Sequence, residues 1–296
     1  MENCKGTVGI LTLGCKVNQY ESEAIGELFE ARGFCVRSAS LPCDVYVINT
    51  CTVTAESDRK ARQMIRRAIA KNPDARVLVT GCLGQVSPES LAAIEGVDYV
   101  SGNVNKTRLP EIAEELLLSG KTASPRVEVG DVTRACFEPM QIRRFDRTRA
   151  YIKIEDGCES HCTYCIIPSA RGVIRSKPMN EVIAEVEALT KDGCREVVLT
   201  GIETASYGKD LKDGTTLASL MREVDKIEGI SRIRLGSLDP FNVTADFVDE
   251  ISKLRHVMPH FHISMQSGCT KTLNSMKRKY TAERAEESIN YLKEKF

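Results

Sequence analysis

The sequence predicts an α/β protein: an N-terminal parallel-sheet α/β domain followed by an incomplete (β/α) barrel. Short apolar runs alternate with amphipathic stretches, the joins between them are short, and the alternation stops after residue 118 and resumes at 150. In the first region the strand candidates are 7–13, 34–37, 45–49, 76–80 and 98–101, and the helix candidates are 21–31, 57–71, 88–95 and 109–118. Helix 57–71 is the clearest, because Ala61, Met64, Ile65, Ala68 and Ile69 share one face and Asn72-Pro73 stops it. Residues 119–149 carry Gly120, Pro125, Gly130, Pro139 and a charged stretch over 143–149, and read as an interdomain connection with some extended structure. Strands then follow at 150–155, 196–200, 233–237 and 261–265, and helices at 180–191, 217–227, 245–254 and 282–296. The expected division is therefore 1–120, a connection over 121–149, and 150–296. The helical pattern still runs at Phe296 without a cap, so the natural chain is expected to continue past it.

Composition narrows the function classes. Lys plus Arg number 41 and Asp plus Glu number 41, so the chain does not cling to nucleic acid by bulk charge, and any such contact needs a local patch. Charged residues make up 28%, and no window approaches the roughly 18 unbroken apolar residues of a membrane span. The start, Met1-Glu2-Asn3-Cys4-Lys5, lacks the basic and apolar regions of a signal peptide, which points to the cytoplasm. Twelve cysteines in such a chain point to metal, cluster or redox chemistry in a reducing compartment rather than to a disulfide scaffold.

Six of the twelve form patterns. Cys158, Cys162 and Cys165 make a C-x3-C-x2-C run just after a predicted strand, which can wrap one iron–sulfur cluster. Three thiolates leave one iron of a [4Fe–4S] cube open to an outside ligand. Zinc with His161 as fourth ligand is the alternative, but His161 adjoins Cys162 and would have to bend back onto the same metal. Cys15, Cys51 and Cys82 each follow the carboxyl end of a predicted strand, where a parallel sheet builds its sites. Gly14 and Gly81 precede two of them and permit tight turns, so the three can converge as a second three-thiolate site. Cys4, Cys35, Cys43, Cys136, Cys194 and Cys269 share no pattern and are expected to pack.

These residues carry a resemblance. Cys158-x3-Cys162-x2-Cys165 on the first strand of a βα series resembles the signature of radical S-adenosylmethionine (SAM) enzymes. A preceding α/β domain with three dispersed cysteines resembles the MiaB-like methylthiotransferases. Thr12-Leu13-Gly14-Cys15-Lys16-Val17-Asn18-Gln19-Tyr20-Glu21-Ser22 is similar to their MtaB subgroup. Asn49-Thr50-Cys51-Thr52-Val53, Thr80-Gly81-Cys82-Leu83, Tyr151-Ile152-Lys153-Ile154 and Leu199-Thr200-Gly201-Ile202-Glu203 fit the same family, as do Arg171-Gly172, Arg175-Ser176 and Met265-Gln266-Ser267-Gly268-Cys269.

The resemblance implies a cytoplasmic tRNA-modifying transferase. It would methylthiolate C2 of N6-threonylcarbamoyladenosine beside the anticodon, using SAM, two [4Fe–4S] clusters and an electron donor of the flavodoxin or ferredoxin type. Cys158, Cys162 and Cys165 would hold the cluster that binds and cleaves SAM. Cys15, Cys51 and Cys82 would hold the cluster that carries the sulfur. Sister branches act on isopentenyladenosine in tRNA or on an Asp of a ribosomal protein, and a non-catalytic electron carrier or sensor is the reading from another class. Full-length members have two further barrel strands and a small C-terminal β-barrel for tRNA, which the 296 residues do not hold.

Weaker expectations concern SAM and RNA. Glu203, at the end of the second barrel strand, resembles a segment that meets the SAM ammonium, against the plainer reading of an exposed loop residue. Arg234 and Ser237, on the third strand, are candidates for the SAM carboxylate or ribose, with a structural ion pair as the alternative for Arg234. Gln266 either reads adenine or packs. From Arg59 to Lys71 the helix carries Arg59, Lys60, Arg62, Arg66, Arg67 and Lys71 with no acidic residue between them, which is either a phosphate-binding face or a solvated one. Lys271, Lys277, Arg278, Lys279 and Arg284 form a second basic run, and Arg171 and Arg175 are candidates for contact with SAM or RNA.

Overall fold

The computed structural model describes residues 4–121, 124–145 and 147–296. Residues 1–3, which open the sequence, and Thr122, Ala123 and Asp146, inside the expected connection, lie outside the described residues. The chain divides into two compact units, Met1–Gln141 with Ser169–Gly172, and Ile142–Pro168 with Val173–Phe296.

The first unit runs β1 (Thr7–Thr12), α1 (Lys16–Ala31), β2 (Cys35–Arg37), β3 (Val45–Thr50), α2 (Ala55–Lys71), β4 (Arg76–Gly81), α3 (Cys82–Val86), α4 (Pro88–Ala92), β5 (Tyr99–Ser101), α5 (Leu109–Ser119) and β6 (Arg126–Glu128). Its strands pair in parallel in the order β2-β1-β3-β4-β5-β6. Every residue of β3 is buried, as the mostly apolar Val-Tyr-Val-Ile-Asn-Thr run of a central parallel strand requires. Ala61, Ile65 and Ala68 of α2 pack onto Tyr46, Ile48, Val77 and Val79, so the expected helical stripe is the core face. The connection does contain extended structure, since β6 adds a sixth parallel strand.

α1 begins at Lys16 rather than near residue 21, with Cys15 as its extended N-cap residue. Its buried face holds Asn18, Glu21 and Ser22 beside Val17, Ala24 and Ile25, and those polar residues hide the apolar period.

The second unit runs β7 (Ala150–Lys153), β8 (Glu155–Asp156), α6 (Ile167–Arg171, whose last three residues group with the first unit), β9 (Arg175–Ser176), α7 (Met179–Lys191), β10 (Glu196–Thr200), α8 (Leu217–Asp225), β11 (Arg232–Leu235), β12 (Ser237–Leu238), α9 (Ala245–Ile251), β13 (His262–Ile263), α10 (Thr270–Ser275) and α11 (Ala282–Lys295). The parallel order is β11-β10-β7, and β12 pairs in parallel with β13. The expected third strand breaks at Gly236, whose N–H donates to the Leu199 carbonyl at 2.8 Å. Above that break the chain leaves the second barrel strand and pairs with the fourth, the step by which an open sheet curls toward a barrel.

α10 is a short helix that the sequence pattern does not announce. It ends in a Schellman turn: Lys277 adopts φ +56°, Arg278 N–H donates to the Leu273 carbonyl at 2.9 Å, and Lys277 N–H to the Asn274 carbonyl at 3.0 Å. A lysine there bears the Cβ cost of the left-handed region. Lys277→Gly should therefore stabilise the protein by about 0.5–1 kcal/mol, read as a higher urea midpoint; a lower midpoint would contradict this account of the turn.

Candidate active site

Strand order decides what the first three cysteines can do. Cys15 lies past β1, Cys51 directly after β3 and Cys82 directly after β4, and β1, β3 and β4 are neighbours in the sheet. All three therefore stand side by side along one carboxyl edge. Cys15 is exposed, whereas Cys51 and Cys82 are buried. The two glycines are structural requirements. Gly14 takes φ +131°, and a Cβ on it would lie 2.7 Å from Asn18 Oδ1 and 3.2 Å from the Cys51 Cβ; Gly81 takes φ +98°, and a Cβ on it would lie 2.5 Å from the Thr50 carbonyl oxygen. Burial pushes the Cys51 thiol up, and negative charge on Cys82 or Cys15 pushes it further the same way.

A buried polar network lies beneath this edge. The Cys15 thiol donates to Asn18 Oδ1 at 3.3 Å, and Asn103 Nδ2 lies 3.5 Å from Cys82 Sγ. Asn18 Nδ2 donates to the Thr50 carbonyl at 3.1 Å, next to Cys51. Behind these amides Glu21 accepts from Lys106 at 2.5 Å and from Arg171 at 2.9 Å, and all three side chains are almost fully buried. Arg171 is therefore a structural residue of the first unit and does not reach solvent, contrary to its expected contact with SAM or RNA. The sequence signal for this network was the set of polar residues at helical spacing with apolar ones in α1, Asn18, Glu21 and Ser22.

In the second unit the other three cysteines occupy one loop between β8 and α6. Cys162 N–H donates to the Ser160 carbonyl at 2.9 Å and Cys165 N–H to the Cys162 carbonyl at 3.0 Å, which coils the loop tightly. Ser160 N–H lies 3.4 Å from Cys158 Sγ. Burial pushes the Cys158 and Cys165 thiols up, so they favour the neutral form until a cation arrives. The loop is registered on the turn after α10, where Thr163 N–H donates to the Met276 carbonyl at 3.2 Å. Arg175 is buried and pairs with Asp156 at 3.3 Å, behind the loop, so it does not serve RNA either.

The candidate SAM residues separate. Glu203 is not an exposed loop residue: its carboxyl accepts from the Asp239 N–H at 3.1 Å, and burial pushes it up to about 7. Its own N–H donates to Glu155 at 2.9 Å, a wholly buried carboxyl that burial raises well above the usual range. Ser237 lies on β12 with its hydroxyl 2.5 Å from that of Ser264. Gln266 follows β13, is exposed and adopts φ +64°. Arg234 is not brought to this edge. Its Nε donates to Glu196 at 2.8 Å, at the opposite end of β10, which is the ion-pair alternative.

Residues 7–102 match the family model described as uncharacterized protein family UPF0004, and residues 152–296 match that of the radical SAM superfamily. A protein of Bacillus subtilis named threonylcarbamoyladenosine tRNA methylthiotransferase MtaB is 43% identical over 290 residues, covering 97% of this chain and 63% of the relative. The Aquifex aeolicus protein of the same name is 40% identical over 293 residues, covering 97% of this chain and 69% of the relative. The chain belongs to the MtaB methylthiotransferase family. It spans 63% of the length of the Bacillus relative. A solved structure of the radical SAM methyltransferase TsrM from Kitasatospora setae aligns with a TM-score of 0.66 at 18% identity, over 98% of this chain and 66% of that one, and shares the fold.

A radical SAM domain implies SAM and a [4Fe–4S] cluster, and the donors present fit. The MtaB-family chain offers soft thiols at both edges, grouped in threes. Among the described residues no three ligating side chains close on a point as a single metal ion demands. A four-iron cube is a larger body, and each of its thiolates takes a separate iron.

The remaining residues correct two expectations. Of the six unpatterned cysteines only Cys43 and Cys194 are buried; Cys136 and Cys269 are exposed, and Cys4 and Cys35 are intermediate. The basic helix also starts earlier than expected, at Ala55, and so includes Glu56, which takes Arg59 at 2.7 Å and Lys60 at 3.6 Å. Arg62 lies 3.4 Å from Ser90 Oγ, and Arg66 and Arg67 are exposed. Sequence reasoning missed Arg278, whose guanidinium turns inward rather than joining a basic surface run. The exposed Cys269 thiol is pulled below the ordinary range by the Thr272 N–H and hydroxyl at the start of α10. In the metal-free chain iodoacetamide should label Cys269 before Cys51, Cys158 and Cys165, with its half-maximal rate at a lower pH; peptide mass spectrometry showing Cys158 or Cys165 labelled first would contradict this.

Proposed function

We propose that this chain is the cluster-bearing part of a tRNA methylthiotransferase that converts N6-threonylcarbamoyladenosine, beside the anticodon, to its 2-methylthio derivative. The observation that carries the reading is the pairing of two three-cysteine groups, each at the carboxyl edge of a parallel sheet, with 43% identity to MtaB along 97% of the chain. Cys158, Cys162 and Cys165 would hold the cluster that binds SAM, and Cys15, Cys51 and Cys82 a second [4Fe–4S] cluster that carries sulfur. When bound, SAM and the clusters supply hydrogen abstraction and sulfur insertion at an aromatic C–H that no acid–base pair can activate.

The chain's own residues position and insulate. Glu203, whose carboxyl burial pushes up to about 7, faces the SAM ammonium. Ser237 and Gln266 line the same edge for the ribose and the adenine. Arg62, Arg66 and Arg67 of α2 contact tRNA phosphates, with Arg59 contributing less because Glu56 already holds it. No helix among the described residues is long and apolar enough to cross a membrane, and the reading places the protein in the cytoplasm with a flavodoxin- or ferredoxin-type reductant.

Mass spectrometry of tRNA nucleosides tests this. A strain lacking the gene should lose 2-methylthio-N6-threonylcarbamoyladenosine and accumulate the unthiolated nucleoside, and the gene should restore it while a Cys158→Ala allele does not. An unchanged nucleoside profile in a strain without a second such enzyme, or loss of a methylthio-isopentenyl nucleoside instead, would contradict the assignment.

A further inference from the structure

Arg278 lies in the expected basic run, yet its guanidinium is turned inward onto the cysteine loop. One terminal nitrogen stands 3.3 Å from Cys162 Sγ, and the other donates to Asp239 at 2.5 Å and to the Ser264 carbonyl at 3.1 Å. Its Nε donates to the Tyr280 hydroxyl at 3.3 Å, and the guanidinium lies 5.1 Å from the centre of that ring. The Tyr280 hydroxyl is fixed in turn, 2.6 Å from the Met265 carbonyl and 2.9 Å from that of Ser264. The Arg278 and Asp239 side chains are 8% and 12% exposed, so water screens this charge poorly. The Schellman turn and the Thr163-to-Met276 hydrogen bond set the backbone that carries Arg278 against the loop.

We propose that Arg278 is a positioning residue that sets the reduction potential of the cluster held by Cys158, Cys162 and Cys165, through a charge-assisted N–H···S bond to Cys162. This rests on the reading that those cysteines hold the SAM-binding cluster. One electron from the external donor adds one negative charge, part of which resides on the ligating sulfurs. A fixed cation beside one sulfur stabilises the reduced state more than the oxidised state and raises the potential. Asp239 aims the guanidinium and does not replace it. Only a planar fork can reach Asp239, Ser264, Tyr280 and Cys162 together, so lysine preserves the charge but not the whole arrangement.

The test is a redox titration, followed by electron paramagnetic resonance, of the anaerobically reconstituted full-length protein, reading the cluster signal that changes when SAM is added. Arg278→Gln should lower the midpoint by a tenfold change in the reduction equilibrium, ~59 mV for one electron, with iron content unchanged. Arg278→Lys should fall between Arg278→Gln and wild type. If Arg278→Gln fails to load iron, Arg278→Lys decides alone: a lower midpoint supports the proposal and an unchanged one overturns it. Equal midpoints in wild type and both variants, with the SAM response intact, overturn the proposal while leaving the cluster reading standing. A wild-type protein with no SAM-responsive signal overturns both.

Discussion

Parallel pairing of adjacent strands is the constraint on which the candidate chemistry depends. β1, β3 and β4 are neighbours and run the same way, so loops 30 or more residues apart in sequence open at one edge, with Cys15, Cys51 and Cys82 at their start. An antiparallel arrangement would send one of the three thiols to the far side of the sheet. In the second unit β7, β10 and β11 obey the same rule, which sets the cysteine loop, Glu203 and Ser237 at carboxyl ends and leaves Arg234 with Glu196 at the other.

Each edge is backed by buried charge rather than by apolar packing alone. Beneath the first, Glu21, Lys106 and Arg171 hold Asn18 and Asn103 in place against Cys15 and Cys82. Behind the second, Asp239 holds Arg278 against Cys162. Desolvating such groups is costly, and losing one partner of a buried pair costs about 3–5 kcal/mol. What they provide in return is geometry. A hydrogen-bonded charge in a poorly screened interior has one orientation, and its field on a neighbouring sulfur is correspondingly fixed.

Much of this was legible in the sequence. The strand and helix alternation, the stripe of Ala61, Ile65 and Ala68, and the glycines before Cys15 and Cys82 all read correctly, because period and positive φ leave direct marks on residue choice. The parts that did not read share one cause, polar residues doing buried work. Buried Asn18 broke the apolar period in the opening turn of α1, Glu56 lay just ahead of the expected start of α2, and Arg171, Arg175 and Arg278 looked like accessible charge although tertiary contacts turn them inward. Cys136 and Cys269 escaped for the converse reason, since composition alone does not separate a packed thiol from an exposed one.

In the proposed function each of the two three-thiol groups holds its own four-iron cluster. Anaerobic reconstitution with iron and sulfide, followed by metal and sulfide analysis, measures it directly. The account predicts roughly eight iron per chain, falling to about four when Cys15, Cys51 and Cys82 are all changed to Ala and to about four when Cys158, Cys162 and Cys165 are. Four iron in the unaltered protein, stoichiometric zinc, or loss of all iron on changing either group alone would contradict it.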